Sequence, residues 1–388
     1  MWPIQAHQNI RRENIPKKSM LMWDETLFRD PDVFEIDYIP DQFNYRENQM
    51  RELSFLLKPG IRGGRPLNAI IKGTPGTGKT TSVKKIFTDI DEMESQMIPI
   101  QINCQIENTR FSILSEIYKR LAGHTPSAAG NSFKRVFESI AQSMIEQDRV
   151  VVVALDDANY LLYENELNKV LYLLLRSHEA YPGTRIGVVV ILSDMDVDLS
   201  RDIDSRVRSV FSPTEIYFAP YTEIEVYNIL RERVLQGLYP GVLPDEMLRL
   251  VAAHTMASAD LRVGIDMLKR ATLNAEMAAE REIGREHIKA AYKVSKYVHL
   301  QYSLKSLNKD EKDVMRILSE SSKADEQLTT GEVFEKVKET HEIGYTTFYE
   351  IIQKIDGLRL VNLQYKEGRG RTRIINLRYD PDKILLYL

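Results

Sequence analysis

A glycine-rich segment that ends in a lysine and two threonines is the part of the chain best suited to bind phosphate. Residues 73–80 read Gly-Thr-Pro-Gly-Thr-Gly-Lys-Thr, between an apolar run and a stretch with helical periodicity. Glycines allow successive backbone N–H groups to turn toward an anion, and the positive end of a following helix adds to the attraction. A glycine-rich turn without a ligand is the alternative. We expect this segment to bind ATP or ADP through Gly73, Thr74, Pro75, Gly76, Thr77, Gly78, Lys79, Thr80 and Thr81.

Two acidic residues are the candidates for binding Mg²⁺ and activating water. Residues 150–155 are apolar and lead directly into Asp156 and Asp157. An acid at the carboxyl end of a buried strand lies beside a phosphate loop, where Lys79 would reach the β- and γ-phosphates. Asp156 is therefore predicted to share Mg²⁺ with the Thr80 hydroxyl, and Asp157 to activate the attacking water; a turn that ends a core strand is the alternative. Because the Asp157 side chain is shorter than that of glutamate, we expect any ATP hydrolysis to be slow.

Arginines later in the chain could add positive charge near the terminal phosphate. Arg206 follows the next predicted strand, and its guanidinium could neutralise transition-state oxygens. Arg208 is the second choice, and a solvated basic turn is the alternative. Arg262 lies near the start of a later helix, from which it could reach the nucleotide or form an ordinary surface salt bridge. Ser193, at the end of the strand before Arg206, could contact the same phosphate. The catalytic candidates are Asp156, Asp157 and Arg206.

These residues need a scaffold that brings the ends of strands and the start of a helix together. Apolar, β-branched runs that alternate with helical stretches predict a parallel sheet covered by helices on both faces. The predicted fold class is therefore α/β, a three-layer core of the kind that carries phosphate loops. The strand-like runs cover residues 67–71, 98–102, 150–155 and 186–192, and the helical stretches cover residues 82–87, 111–121, 133–145 and 166–178.

Two further domains are predicted after the α/β core. From about residue 223 to residue 298 helical patterns dominate, which indicates a separate helical bundle. Three short amphipathic helices then precede two strands joined by a Gly-rich turn, the pattern of a winged helix. We therefore divide the chain into a tail and α/β core over residues 1–220, a helical domain over residues 221–300 and a winged-helix domain over residues 301–388.

The predicted winged helix carries residues suited to contact DNA. The helix that follows Gly344 begins with hydroxyl and aromatic side chains, which suit phosphates and base edges in a major groove. The hairpin tip is basic and slim enough to enter a minor groove or follow phosphates. A winged helix that binds protein, with a solvated charged turn, is the alternative. The DNA-binding candidates are Thr346, Thr347, Tyr349, Arg369, Gly370, Arg371 and Arg373.

Composition excludes several other classes of protein. The 388 residues are 43% hydrophobic and 28% charged, as in ordinary soluble globular proteins. The net charge of −4 means that any nucleic-acid surface must be local. A single cysteine, Cys104, allows neither a disulfide framework nor a cysteine-based metal site. Because no signal sequence or membrane-spanning run is evident, we expect a cytoplasmic protein without a membrane partner.

The order of these motifs resembles that of the archaeal origin-recognition and Cdc-type replication initiators, AAA+ ATPases with a C-terminal winged helix. The similarity extends over nearly the whole chain. The lead-in over residues 27–49 resembles the segment on the adenine side of the nucleotide in this family, which makes Tyr38, Ile39 and Arg46 candidates for nucleotide binding. The remaining correspondences are residues 73–80 with the Walker A loop, Asp156 and Asp157 with Walker B, Ser193 with sensor 1, residues 204–209 with the arginine-finger box, and Arg262 with sensor 2.

The resemblance also implies a function and partners. It implies an ATP-dependent initiator that recognises and remodels double-stranded origin DNA, helps to recruit the replicative helicase and assembles with a paralogous initiator subunit. It further implies that an insertion carrying Ser127, Ala128 and Gly130 touches DNA, although a plain loop between helices is the alternative. Two rival classes are a clamp-loader-like AAA+ ATPase, which would end in a helical collar, and a nucleotide-responsive winged-helix transcriptional regulator.

Overall fold

A five-stranded parallel sheet forms the centre of the first part of the chain. A computed structural model describes residues 26–388 except residues 42, 94, 127–131, 164, 194, 196, 324–327, 342, 359 and 366–372. The strands follow the order β2-β3-β4-β1-β5, and all neighbouring strands are parallel. They are β1 (Ala69–Lys72), β2 (Met97–Asn103), β3 (Val150–Asp156), β4 (Ile186–Leu192) and β5 (Thr214–Tyr217).

Helices cover both faces of this sheet, which confirms the predicted α/β core. Every residue of β3 and β4 is buried, as expected for continuous apolar runs between two helical layers. The single helix predicted over residues 166–178 is in fact two helices that meet at Arg176, whose backbone is not helical. The helices are α1 (Glu47–Ile61), α2 (Lys79–Glu92), α3 (Arg110–Ala122), α4 (Phe133–Glu146), α5 (Asn159–Tyr163), α6 (Leu167–Leu175), α7 (Ser177–Ala180), α8 (Leu199–Asp202) and α9 (Ser205–Phe211).

The helical domain consists of four consecutive helices with their own hydrophobic core. Its first helix begins with a capping box in which Thr222 and Glu225 each bond the backbone N–H of the other. Its third helix begins at an N-cap aspartate, Asp260, whose carboxylate accepts from the N–H of Arg262. The four helices are α10 (Glu223–Gly237), α11 (Asp245–Ser258), α12 (Leu261–Met277) and α13 (Arg285–Ser295).

The segment before α1 packs on the helical domain. It contains a short 3₁₀ helix (Pro31–Phe34), and Phe28 and Phe34 lie within the core of the helical domain. The N–H of Arg29 donates to the carbonyl of Gly237 (2.9 Å), and Lys269 pairs with Glu35 (2.5 Å). Our division by sequence assigns these residues to the first domain, whereas in the structure their contacts join them to the second.

The last part of the chain has the helices and the small antiparallel sheet of a winged helix. The sheet follows the order β6-β8-β7. Two of its helices, α14 and α18, are absent from our sequence prediction, and α14 spans the boundary that we place at residue 300. The elements are α14 (Val298–Lys305), α15 (Lys309–Lys323), β6 (Leu328–Thr329), α16 (Thr330–Thr340), α17 (Tyr345–Gly357), β7 (Val361–Tyr365), β8 (Arg373–Leu377) and α18 (Pro381–Tyr387).

One hydrophobic cluster continues from the α/β core into the winged helix. It joins Tyr160 and Leu161 of the core to Leu300 and Leu304 of α14 and to Ile352 of α17. The helical domain has a separate cluster. The core and the winged helix therefore share buried apolar surface. Among the residues that the structure describes, no helix is both long enough and apolar enough to cross a membrane.

Candidate nucleotide site

The phosphate loop connects β1 to α2, and its backbone turns toward the start of the helix. Gly76 and Gly78 have positive φ angles of 74° and 86°, which other residues rarely adopt. Gly78 is the N-cap of α2, and no side chain caps this helix. No N-cap side chain therefore competes with an anion for the N–H groups of its first turn.

The surroundings of the loop leave no room for side chains at two of its glycines. A Cβ atom on Gly73 would lie 2.5 Å from the carbonyl oxygen of Phe218. A Cβ atom on Gly76 would lie 2.3 Å from Oδ1 of Asp260, the N-cap of α12. The helical domain is thus in direct contact with the phosphate loop, and glycine is required there for space as well as for backbone conformation.

Lys79 is buried and lies against the loop that would hold the phosphates. Its Nζ donates to the carbonyl oxygens of Gly73 (2.8 Å) and Thr74 (3.0 Å). These contacts hold a positive charge at the centre of the loop, where phosphate oxygens would be its stronger partners.

Asp156 lies at the end of β3 among hydrogen-bond donors. Its Oδ1 accepts from the Thr80 hydroxyl (3.1 Å) and its Oδ2 from the side-chain amide of Gln101 (2.9 Å). Burial, and secondarily the charge of Asp157, raise the pKa of Asp156 to about 7. Gln101 was not predicted, although a polar residue between two isoleucines of β2 is a visible signal. Within the described residues, no group of three or more His, Cys, Asp or Glu side chains is arranged to hold a metal.

Asp157 and Ser193 meet across the ends of two neighbouring strands. The Ser193 hydroxyl donates to Oδ1 of Asp157 at 2.6 Å. Asp157 has a positive φ of 53°, an uncommon conformation for a non-glycine residue. The strained backbone turns Asp157 out of the strand direction, so that it lines the same cavity as Asp156.

Arg262 reaches the site from the helical domain. Its guanidinium forms a two-point ion pair with Asp260, with distances of 2.6 Å from Nη2 to Oδ2 and 3.0 Å from Nε to Oδ1. Its side chain is 34% exposed and lines the cavity. Because Asp260 also touches Gly76, this pair joins the start of α12 to the phosphate loop.

A cavity of 380 Å³ collects most of the predicted nucleotide-binding residues. The lead-in, the phosphate loop, the ends of β3 and β4, the helical domain and the winged helix all contribute to its wall. Gly73, Thr74 and Ile39 do not line it. The predicted residues that line it are Tyr38, Pro75, Gly76, Thr77, Gly78, Lys79, Thr80, Thr81, Asp156, Asp157, Ser193 and Arg262.

Arg46 supports the loop from outside this cavity. It is buried, and its Nε donates to the carbonyl of Thr77 (2.9 Å) while its Nη2 donates to that of Ala219 (2.7 Å). Its guanidinium lies 3.8 Å from the centre of the Tyr221 ring. Arg46 therefore holds the backbone of the phosphate loop in place.

Arg206 lies on α9 and does not line the cavity of its own chain. Its side chain is 75% exposed, and its carboxylate neighbour Asp204 is 4.0 Å away. Arg208 points elsewhere, since its Nη2 donates to the carbonyl of Ile203 (3.0 Å). An exposed arginine on this helix is accessible to another molecule.

Sequence reasoning missed Arg233, a buried cation in the wall of the cavity. Its guanidinium lies 4.4 Å from the centre of the Tyr38 ring and donates to the carbonyl of Val33 (3.1 Å). Burial lowers its pKa. The signal was available, because Arg233 continues the buried face of α10 formed by Val226 and Leu230.

The predicted DNA-binding residues are only partly described. Thr346, Thr347 and Tyr349 lie on the exposed first turns of α17, and the side chain of Arg373 on β8 is half-buried. The other candidates, Ser127, Ala128, Gly130, Arg369, Gly370 and Arg371, lie outside the described residues.

Comparison with known protein families identifies the class of this fold and site. Residues 62–198 match the model of the AAA domain, and residues 227–293 match that of the Cdc6 AAA+ ATPase-type lid domain. The chain is thus an AAA+ protein with a Cdc6-type lid.

Curated relatives then give the family. The chain is 43% identical over 373 residues to "ORC1-type DNA replication protein 3" of Haloarcula marismortui, a match covering 95% of this chain and 98% of the relative. It is 41% identical to "ORC1-type DNA replication protein 2" of Methanosarcina mazei, with 94% and 97% of the two chains covered. The chain belongs to the family of ORC1-type DNA replication proteins, which confirms the resemblance found in its sequence.

A solved structure agrees with this assignment. The Aeropyrum pernix ORC1 protein, determined in complex with DNA, has a TM-score of 0.76 and 25% identity, and 94% of this chain and 97% of that chain are covered. The fold match therefore includes the winged helix as well as the AAA+ core.

Proposed function

We propose that this protein is an ATP-dependent replication initiator that recognises and remodels double-stranded origin DNA and helps to recruit the replicative helicase. The observation that carries the proposal is a phosphate loop and a winged helix that share one hydrophobic core in a single chain. Membership of the ORC1-type family supports it.

The cavity would hold ATP or ADP, with its phosphates on the loop. The Lys79 ammonium and the N–H groups at the start of α2 would bind the β- and γ-phosphates. Thr80 and Asp156 suit Mg²⁺, because one hydroxyl and one carboxylate leave the remaining positions to phosphate oxygens and water. When bound, Mg²⁺ neutralises charge on the phosphates.

Asp157 and Ser193 would orient an attacking water. Their hydrogen bond fixes one carboxylate oxygen of Asp157 and leaves the other as an acceptor. We expect slow turnover, because the aspartate extends less far than a glutamate would. Arg206 would serve the nucleotide of a neighbouring subunit, which is why we propose assembly with a paralogous initiator.

The winged helix would contact duplex DNA through α17. Its first turns expose Thr346, Thr347 and Tyr349, side chains that can donate to phosphates and base edges. The A. pernix ORC1 protein was solved bound to DNA, which supports the same role here. A second contact by the core insertion would bend or underwind the duplex between the two points.

Footprinting on chromosomal fragments tests this proposal. We expect protection of a replication origin by the ATP-loaded wild type and weaker protection by Tyr349→Ala. Tyr239→Ala is the matched control, because Tyr239 is also an exposed tyrosine but lies in the helical domain. Protection of promoters alone would favour the transcriptional regulator. Equal protection by Tyr349→Ala and the wild type would remove α17 from the proposed interface.

A further inference from the structure

The winged helix forms part of the wall of the nucleotide cavity. Ser303 of α14, Gly357 at the end of α17 and Leu358 directly after it line the same cavity as Asp157 and Tyr160. Leu358 is 4% exposed and belongs to the hydrophobic cluster that joins the winged helix to the α/β core. One end of the cavity is therefore built from two domains that are far apart in sequence.

Direct contacts join this end of the cavity to the acid that would activate water. The N–H of Tyr160 donates to the carbonyl of Asp157 (3.1 Å), and the Tyr160 hydroxyl lies 3.5 Å from the hydroxyl of Ser306. The Ser303 hydroxyl donates to the carbonyl of Leu358 (3.3 Å). Helix α5, which carries Tyr160, packs against α17. Through these contacts, a displacement of the loop that carries Asp157 would also displace the C-terminal end of α17.

The same end of the cavity contains a polar atom that lacks a partner. Asn159, at the start of α5, is 4% exposed, and its Oδ1 has no hydrogen-bond partner among the described residues. A buried carbonyl oxygen without a donor is costly, so a donor is expected to fill this place. A water oriented by Asp157 would be a donor for Asn159 as well, and such a water would lie beside the terminal phosphate.

A buried ion pair fixes α17 within the winged helix, so we expect a displacement at one end of α17 to move the whole helix. Lys354 on α17 forms a buried ion pair with Glu311 on α15 at 2.9 Å, with side-chain exposures of 7% and 5%. A buried pair of this kind tolerates little local shift, because separation would leave unpaired charges. The opposite end of the helix, about 20 Å away by its rise per residue, exposes Thr346, Thr347 and Tyr349.

We propose that the winged helix completes the nucleotide site on the γ-phosphate side, and that α17 thereby links ATP binding to DNA binding. The inference rests on the proposed function. ADP lacks the terminal phosphate beside which a water between Asp157 and Asn159 would be held, so the link distinguishes ATP from ADP. Linkage is reciprocal: DNA on the first turns of α17 changes the affinity for ATP by the same factor by which ATP changes the affinity for DNA.

Hydrogen exchange of the full chain without DNA tests the first half of the proposal. A non-hydrolysable ATP analogue is expected to slow the exchange of backbone amides 352–358 about fivefold or more relative to ADP. Tyr160→Phe is expected to reduce this difference, whereas Tyr181→Phe is not, because Tyr181 packs on Phe137 and does not line the cavity. Equal exchange in the two nucleotides would overturn the inference, and an undiminished difference in Tyr160→Phe would overturn the assigned contact.

Duplex affinity tests the second half. We expect the dissociation constant for a mixed-sequence duplex at low salt to differ about fivefold or more between the ATP analogue and ADP, and this ratio to approach one in Tyr160→Phe. Strong binding with a ratio of one in the wild type would overturn the link but leave the proposed function intact. If no form of the protein binds the duplex, the proposed function itself fails, while the exchange experiment still decides whether the winged helix senses the nucleotide.

Discussion

The carboxylate of Asp156 is surrounded by protein donors and shielded from water. Thr80 and Gln101 each donate to it, yet burial beside Asp157 still raises its pKa to about 7. The raised pKa means that the ionised carboxylate is unfavourable in this buried position without a cation, and a bound cation would stabilise it. We therefore expect the proposed Mg²⁺ binding to depend on pH.

We predict that the Mg²⁺ dependence of ATP affinity grows as pH rises through about 7, because the proton and Mg²⁺ compete for the Asp156 carboxylate. Titration of ATP with and without Mg²⁺ at several pH values measures this. Asp156→Asn should abolish the Mg²⁺ effect at every pH, and Asp310→Asn, at an exposed position, should keep it. A Mg²⁺ effect independent of pH in the wild type would contradict the assignment.

The same raised pKa affects the stability of the nucleotide-free protein. Between the ordinary carboxyl pKa of 3.8 and a pH of about 7, the folded chain keeps a proton at Asp156 that the unfolded chain has released. This group therefore stabilises the fold most at low pH, and its contribution is lost as pH rises through about 7. Denaturation of Asp156→Asn should show less loss of stability than the wild type over this range.

Lys79 is the second residue for which the structure allows a specific prediction. Its Nζ already lies on the loop carbonyls of Gly73 and Thr74. Lys79→Ala should weaken ATP binding roughly 10- to 100-fold, the range for losing hydrogen bonds to charged groups. Lys84→Ala is the matched control, because Lys84 lies on the same helix but is exposed. Retention of ATP by purified Lys79→Ala at the wild-type level would contradict the proposed phosphate contact.

At the scale of elements, the contact between the phosphate loop and α12 depends on a glycine. Gly76 and Gly123 both have positive φ, but a Cβ at Gly76 would meet Asp260 whereas nothing lies within 4 Å of one at Gly123. Comparison of alanine at these two positions separates backbone strain from displacement of the helical domain.

We predict that both Gly76→Ala and Gly123→Ala lower the free energy of unfolding by about 1–2 kcal/mol through backbone strain. Only Gly76→Ala should also weaken nucleotide binding, because Asp260 and its partner Arg262 must move away from the loop. Chemical denaturation and ATP titration of the two variants check this. An unchanged ATP affinity in Gly76→Ala would show that the contact with α12 does not contribute to the site.

The elements also show what the sequence could and could not predict. Continuous apolar runs indicated β3 and β4 because both are buried at every position. β5 gave no such signal, since only Ile216 of its four residues is buried. α14 and α18 are short, and tertiary packing rather than local pattern stabilises them. The motif residues were found because phosphate chemistry requires them. Gln101 and Arg233 show in the sequence only as polar residues on buried faces, and the contacts that give them a role are created by the fold.

At the scale of the whole molecule, the shared hydrophobic core makes the α/β core and the winged helix one unit of stability. Leu304 of α14 is 1% exposed within this cluster. Leu304→Ala should lower the free energy of unfolding by about 2–5 kcal/mol, the usual cost of a buried cavity. Hydrogen exchange should then increase in both β3 and α16. Leu386→Ala, at a side chain that is 67% exposed, is the control. Loss of protection in the winged helix alone would contradict a common core.

Arg46 has a consequence for how the helical domain can move. Segment 26–38 is joined to that domain through Phe28, Phe34 and the Glu35–Lys269 pair. The domain is therefore connected to the core by this lead-in, by the chain between β5 and α10, and by the turn from α13 to α14, a helix of the shared hydrophobic cluster. Arg46 fixes the first two connections to each other, because its Nη2 donates to the carbonyl of Ala219. We expect the three connections together to limit any rotation of the helical domain that would open the cavity.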